Sequence, residues 1–202
     1  MKNKLLILLL VLFTILTVSG CKKKAEEPKE NETITVKEKS EYQKILEKGN
    51  FKPWEYQQVL DALIAENDFS GIIWFATEEN GWSKKIIPVY ASLGANGIDD
   101  GTNSIKSINI YYVDTTQDKD ENIYANIISL ISEELTNIGC VNENGEPEIL
   151  TPTTIFMKRG SLIGIETLAN TDTNENKNLT NEEFMDLYNA IHSKAKEIYS
   201  YK

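Results

Sequence analysis

The chain holds little with which to do redox or metal chemistry. It has two cysteines, Cys21 and Cys140, and one histidine, His192, in 202 residues. No zinc-ligand spacing, phosphate-binding glycine loop or Ser/His/Asp arrangement is present. A general base needs a positioned partner. His192 has only Tyr188 at helical spacing and reads as a helix-surface residue. Positive charge is also short, with 21 Lys and Arg against 31 Asp and Glu and a net charge of −10. A protein that seeks phosphates needs a basic face, so nucleic-acid binding is excluded as a function class. Disorder is excluded as the dominant state by a hydrophobic content of 41%, which is ordinary for a globular domain.

The one long apolar run is at the start. Met1-Lys2-Asn3-Lys4 is basic, and Leu5 to Val18 is apolar. That run falls short of the about 20 residues a transmembrane helix needs and has the length of a signal-peptide core. Val18-Ser19-Gly20-Cys21 resembles the bacterial lipobox, which implies cleavage after residue 20 and acylation of Cys21. Residues 1–20 then form a lipoprotein signal peptide. The alternative is an uncleaved membrane anchor. The first twenty residues carry two lysines and no acid, so their removal leaves a charge of −12. Lys22-Lys23-Lys24 beside an anionic leaflet add about 1 kcal/mol each to attachment. Residues 25–39 are too polar to fold alone, so 21–39 read as a lipidated cysteine and tether with a reach of about 25 Å. Thr33 to Val36 alternates weakly and offers a first strand instead. With Cys21 committed to lipid, Cys140 has no partner for a disulfide. It reads as a buried small hydrophobe rather than a reactive thiol.

Residues 40–202 read as one domain. Pro53 to Asn67 has the apolar spacing of a helix, with Pro at its first position. Gly71 to Ala76 suits a strand, Ser83 to Leu93 a helix interrupted by Pro88, and residues 94–104 a turn-rich loop. Ile108 to Val113 suits a buried strand. Asp118 to Glu121 opens a helix that runs through Leu135. The runs on either side of Lys158-Arg159-Gly160 read as a β-hairpin. Thr180 and Glu183 form a capping box for a last helix. A hairpin that closes a sheet begun by β-α-β connections predicts a mixed α/β fold.

Three stretches then carry a family resemblance, over about residues 54–168. SGIIWFATEENGWSKKIIPVY resembles the active-site strand and helix of the thioredoxin superfamily. INIYYVDT resembles its next strand, and LTPTTIFMKRGSLIG its cis-proline loop and closing hairpin. Among relatives the chain looks most like bacteriocin transport accessory proteins. The resemblance implies a thioredoxin-like three-layer sandwich with a mixed central sheet and a closing antiparallel hairpin, and a cis Thr151-Pro152 bond. It places the family's C-x-x-C on Asn80, Gly81, Trp82 and Ser83. Neither Asn80 nor Ser83 can attack a disulfide, so dithiol exchange is excluded by residue type. Asn80 suits a turn before Gly81, and Ser83 an N-cap. Trp82 either projects as a binding anchor or folds back onto the core. The backbone beside Pro152 is where relatives pair with extended peptides, which makes Thr151 and Pro152 candidate peptide-binding residues.

A separate pattern lies in DTNENKNLTNEE. Asp172, Asn174, Asn176, Asn178, Thr180 and Glu183 fall at EF-hand-like positions, an oxygen set that suits Ca²⁺. Lys177 stands where the sharp turn wants glycine, and a polar loop before a capping box is the plainer reading. The expectation is a lipid-anchored domain on the outer face of a bacterial cytoplasmic membrane, or on the outer membrane of a double-membraned cell. It has no cofactor beyond a candidate Ca²⁺, and it binds an extracytoplasmic protein or peptide as a transport-accessory module. The alternatives are an enzyme that uses an external thiol at Ser83 or the lone Cys140, and a Ca²⁺-stabilised surface lipoprotein.

Overall fold

The run Gly71–Ala76 (β2) is buried at all six positions. A strand with no polar face must lie mid-sheet with both faces covered. The computed structural model, which describes residues 38–64, 67–99, 104–168 and 180–199, places it there. Chain contacts separate Met1–Glu38 from Lys39–Lys202, and the elements below all belong to the second unit. β2 pairs in parallel with Ile110–Asp114 (β5), which pairs in parallel with Phe51–Pro53 (β1). On its other side β2 pairs antiparallel with Thr153–Lys158 (β6), and β6 with Ser161–Thr167 (β7). The five-stranded order is β1-β5-β2-β6-β7, a mixed sheet in an α/β fold.

Side-chain alternation divides the core into two layers. Ile72, Trp74 and Ala76 face one layer with Ile110, Tyr112 and Phe156. That side is covered by Glu41–Lys48 (α1), Gly81–Asn96 (α3) and Asn181–Tyr199 (α5), through Tyr42, Ile86, Tyr90, Ile191 and Ala195. Ile73 and Phe75 face the other layer with Val113, Ile155 and Met157. Tyr56–Leu63 (α2) and Glu121–Asn137 (α4) cover it, with Val59, Ile127, Ile131 and Leu135 inward. A bulge at Phe156/Met157 leaves Ile163 unopposed on β7. It puts Leu162 on the same layer as Ile165, three residues away, where regular alternation would put them on opposite layers.

The helix expected from Pro53 is corrected. Pro53 closes β1, an edge strand, where the missing N–H is tolerated, and the next N–H, of Trp54, donates to the Tyr112 carbonyl at 2.8 Å. The helix begins at Tyr56 behind a Glu55/Gln58 capping box and stops at Leu63, because Ile64 is extended. α1 went unread, although Ser40 caps it and Gly49 ends it. The loop after α3 contains a two-strand ladder, Ile98–Asp99 (β3) with Ser104–Ile105 (β4). α4 starts within the expected capping segment, with the Asp120 carboxylate as the cap, accepting from the N–H groups of Asn122 and Ile123, and runs two residues past Leu135. The Thr180/Glu183 capping box is present, with Thr180 N–H to Glu183 Oε2 at 2.8 Å and Glu183 N–H to Thr180 Oγ1 at 3.2 Å. Among the described residues no helix is long and apolar enough to cross a membrane.

Candidate functional site

The carboxyl ends of β2 and β5 and the N-terminus of α3 meet the turn before β6. Asn80 joins them. Its Oδ1 accepts from Ser83 N–H at 2.8 Å and from Ser83 Oγ at 3.1 Å. Its Nδ2 donates across the site to the Thr151 carbonyl at 3.3 Å. Asn80 is therefore the N-cap, and the expectation that Ser83 caps the helix is corrected. Ser83 sits inside the first turn, fully buried, and its Oγ also accepts from Thr77 N–H at 3.4 Å. Asn outranks most residues at this position because its oxygen satisfies a helix N–H that has no intrahelical acceptor.

The Thr151-Pro152 bond is cis. Around it, Thr151 Oγ1 donates to Thr115 Oγ1 at 3.1 Å. The Pro152 carbonyl accepts from Thr167 Oγ1 at 3.0 Å and from Leu168 N–H at 3.4 Å. Among the described residues no acceptor meets the Thr151 N–H. So one of the two backbone groups available for strand pairing at Thr151 is taken internally by Asn80, and the other is left over.

Trp82 folds back onto the core. It is 3% exposed, packs with Ile86 and Ile87, and has the Lys85 ammonium 4.5 Å from its ring centre. The outward-projecting alternative is overturned. The reason is that the second residue of α3 points toward the layer that α1 also covers. Glu79 and Lys84 are the exposed members of this stretch, with Asn80 and Gly81 partly buried.

The chemistry open to these groups is narrow. The Ser83 hydroxyl is engaged as donor and acceptor and has no solvent path. Cys140 is fully buried in the other layer, beyond α4. Its N–H donates to the Leu135 carbonyl at 2.8 Å. Lys84 is the exposed polar side chain in the first turn of α3, and no described serine or cysteine there is exposed. His192 is partly buried and stacked on Tyr188, with ring centres 5.5 Å apart. Burial and the nearby Lys196 hold its pKa below the usual histidine value.

Cys21, tether residues 22–37 and the ligand positions Asp172, Asn174, Asn176 and Asn178 lie outside the described residues, while Lys39 at the end of the expected tether pairs with Glu47 on α1. Glu183, the last of that set, uses its carboxylate in the capping box. Among the described residues no group of three or more acidic, histidine or cysteine side chains is placed to hold a metal.

Sequence reasoning passed over one cluster next to this site. Tyr112 and Asp114 on β5 and Glu78 before α3 act electrostatically on the buried Tyr42 of α1. Burial and these neighbours push Tyr42 well above the usual tyrosine range and Tyr112 up to about 12. The signal available was helical spacing at Tyr42, Ile45 and Leu46 behind a Ser40 cap.

In comparisons with known proteins, the chain matches no family model, no curated protein and no solved structure.

Proposed function

We propose that this is a thioredoxin-like domain without redox cysteines, carried on a lipid anchor outside the cytoplasm. It acts as a peptide- or protein-binding accessory module. The strand order, with a cis-proline turn opposite a helix N-terminus that follows the central strand, supports the family reading. The signal-like segment and the Val18-Ser19-Gly20-Cys21 motif support the anchor.

The observation that carries the binding role is the Thr151 backbone beside Pro152. Its N–H has no acceptor among the described residues, and its carbonyl is held by a side-chain amide that a peptide N–H can replace. A peptide laid along this turn would gain backbone hydrogen bonds at the cost of one neutral contact, each net bond being worth about 1 kcal/mol. The site is thus suited to weak, backbone-led recognition.

The test is photo-crosslinking in intact cells from a reactive residue at exposed Glu79, with a control at exposed Ser193 on α5. The expected result is a discrete adduct from Glu79 alone, lost when the Thr151–Pro152 turn is altered by Pro152→Ala. Equal adducts from both positions, or none from Glu79, would reject the binding role. An enzyme acting through an external thiol at Ser83 or through Cys140 has less support, because both side chains are fully buried.

A further inference from the structure

A cleft of about 540 Å³ opens between α2 and the chain leading into β2, lined by Trp54, Gln58, Asp61, Ala62, Asn67 and Phe69. That is within the usual range of small-ligand sites, about 300–1,000 Å³. We propose that it binds a sugar, a hexopyranose ring whose flat C–H face lies on the Trp54 indole. This does not rest on the peptide reading, which concerns the turn at Pro152.

Three observations carry it. The first is an aromatic wall held in place from behind. Trp54 and Phe69 are both half-buried, with ring centres 5.2 Å apart. Tyr111 does not line the cleft, and its ring centre lies 4.2 Å from that of Trp54 and 5.2 Å from that of Phe69. The Trp54 backbone is fixed on both sides, its N–H donating to the Tyr112 carbonyl at 2.8 Å and its carbonyl accepting from Gln117 Nε2 at 3.2 Å. A fixed ring with an open side is a stacking surface for sugar C–H groups, whose slightly positive hydrogens meet the negative ring face.

The second is the set of polar groups beside that wall. Gln58, Asp61 and Ala62 share one face of α2 by their spacing of three and four residues. Gln58 Oε1 accepts from Glu55 N–H at 2.9 Å, and Asp61 Oδ1 accepts from Gln57 Nε2 at 2.8 Å. Asn67 Nδ2 donates to the Asp61 carbonyl. Each polar side chain is thus held at one end and offers the other. Gln58 offers its amide N–H groups, Asp61 a carboxylate oxygen and Asn67 a carbonyl oxygen. Among the described residues these offered groups have no hydrogen-bond partner.

The third is what the combination selects. A hydroxyl both donates and accepts, so a polyol serves all three side chains. An ammonium would suit Asp61 but leave the Gln58 N–H groups without an acceptor. Asp61 is the only charged residue in the lining and repels an anion. An acyclic polyol makes the hydrogen bonds but has no flat face for Trp54. A pyranose of the β-gluco type has both, since its hydroxyls are equatorial and its C–H bonds axial.

Acrylamide quenching of the tryptophan emission, with cellobiose or N,N′-diacetylchitobiose added to the purified protein, tests this. Trp54 is the one tryptophan of the three that lines the cleft, so its protection reads occupancy. Saturable protection by either disaccharide is expected, with none from sorbitol, an acyclic polyol, or from choline, a cation. Asp61→Asn should raise Kd about tenfold, the effect of losing one charge-assisted hydrogen bond, and Gln58→Met about fivefold, that of a neutral one. Both side chains are exposed, so each substitution isolates a polar group from the core. No saturable protection by either disaccharide, equal protection by sorbitol or choline, or binding indifferent to both substitutions would overturn the proposal.

Discussion

Asn80 makes three contacts with one amide, and their separation is testable at the level of single atoms. Asn80→Ala removes the helix cap, strands the buried Ser83 hydroxyl and frees the Thr151 carbonyl. The expected loss is about 2 kcal/mol, from a cap worth about 1 and an unsatisfied buried group worth about as much. It would appear as a lower urea midpoint at unchanged slope. Asn80→Asp keeps the oxygen that caps the helix but turns a second oxygen toward the Thr151 carbonyl. If Asp is as stable as Asn, the bridge to the cis-proline turn contributes nothing. That Asn80 and Ser83 carry no thiol was plain in the sequence, because residue type alone decides it. The burial of Trp82 was not, since a residue in a first helical turn faces inward only if another element, here α1, is present to cover it.

Among the elements, the β3–β4 ladder hangs on a single residue. Gly97 ends α3 with φ 66° and ψ −150°, a backbone region essentially confined to glycine. A Cβ there would lie 1.6 Å from the Ile105 carbonyl oxygen. Gly97→Ala should therefore destabilise the domain by at least about 2 kcal/mol, lowering Tm by roughly 4–8 °C in a calorimetric scan. Gly145→Ala is the control. Its φ is also positive, at 79°, but nothing lies within 4 Å of a new Cβ. Its cost should be the smaller one of backbone conformation alone.

Most element types could be read from apolar period and caps, as with α4, the β6–β7 hairpin and the Thr180 box. The failures share a cause. A proline that suits a first helical position suits an edge strand equally well, and only the pairing of Pro53 with Tyr112 decides. α1 is an eight-residue helix, too short for its local signal to stand apart from the polar stretch before it.

For the molecule as a whole, buried phenols set the alkaline limit of stability. Burial is the main cause that pushes Tyr56, Tyr112 and Tyr199 up to about 12, against about 10 for an unfolded tyrosine. The folded state holds these protons more tightly than the unfolded state. Their stabilising contribution is complete below pH 10 and is lost as pH rises from 10 toward 12. Tyrosinate absorbance and far-UV circular dichroism followed together should show a fraction of the tyrosines ionising only as the fold is lost. If every tyrosine titrated near pH 10 with the circular dichroism unchanged, this account of the buried phenols would be wrong.

The three tryptophans occupy three settings. Trp74 is sealed in the sheet and stacked on Tyr90 at 4.7 Å, Trp82 lies under Lys85, and Trp54 is half open to solvent against Phe69 and Tyr111. The chain thus carries its own optical gauges. Acrylamide should quench Trp54 in the native state and leave the other two nearly dark to it. The Trp74 ring centre lies 6.5 Å from that of Tyr42. Loosening of α1, which carries Tyr42, should therefore shift the shielded, blue part of the emission and leave the quenchable part unmoved.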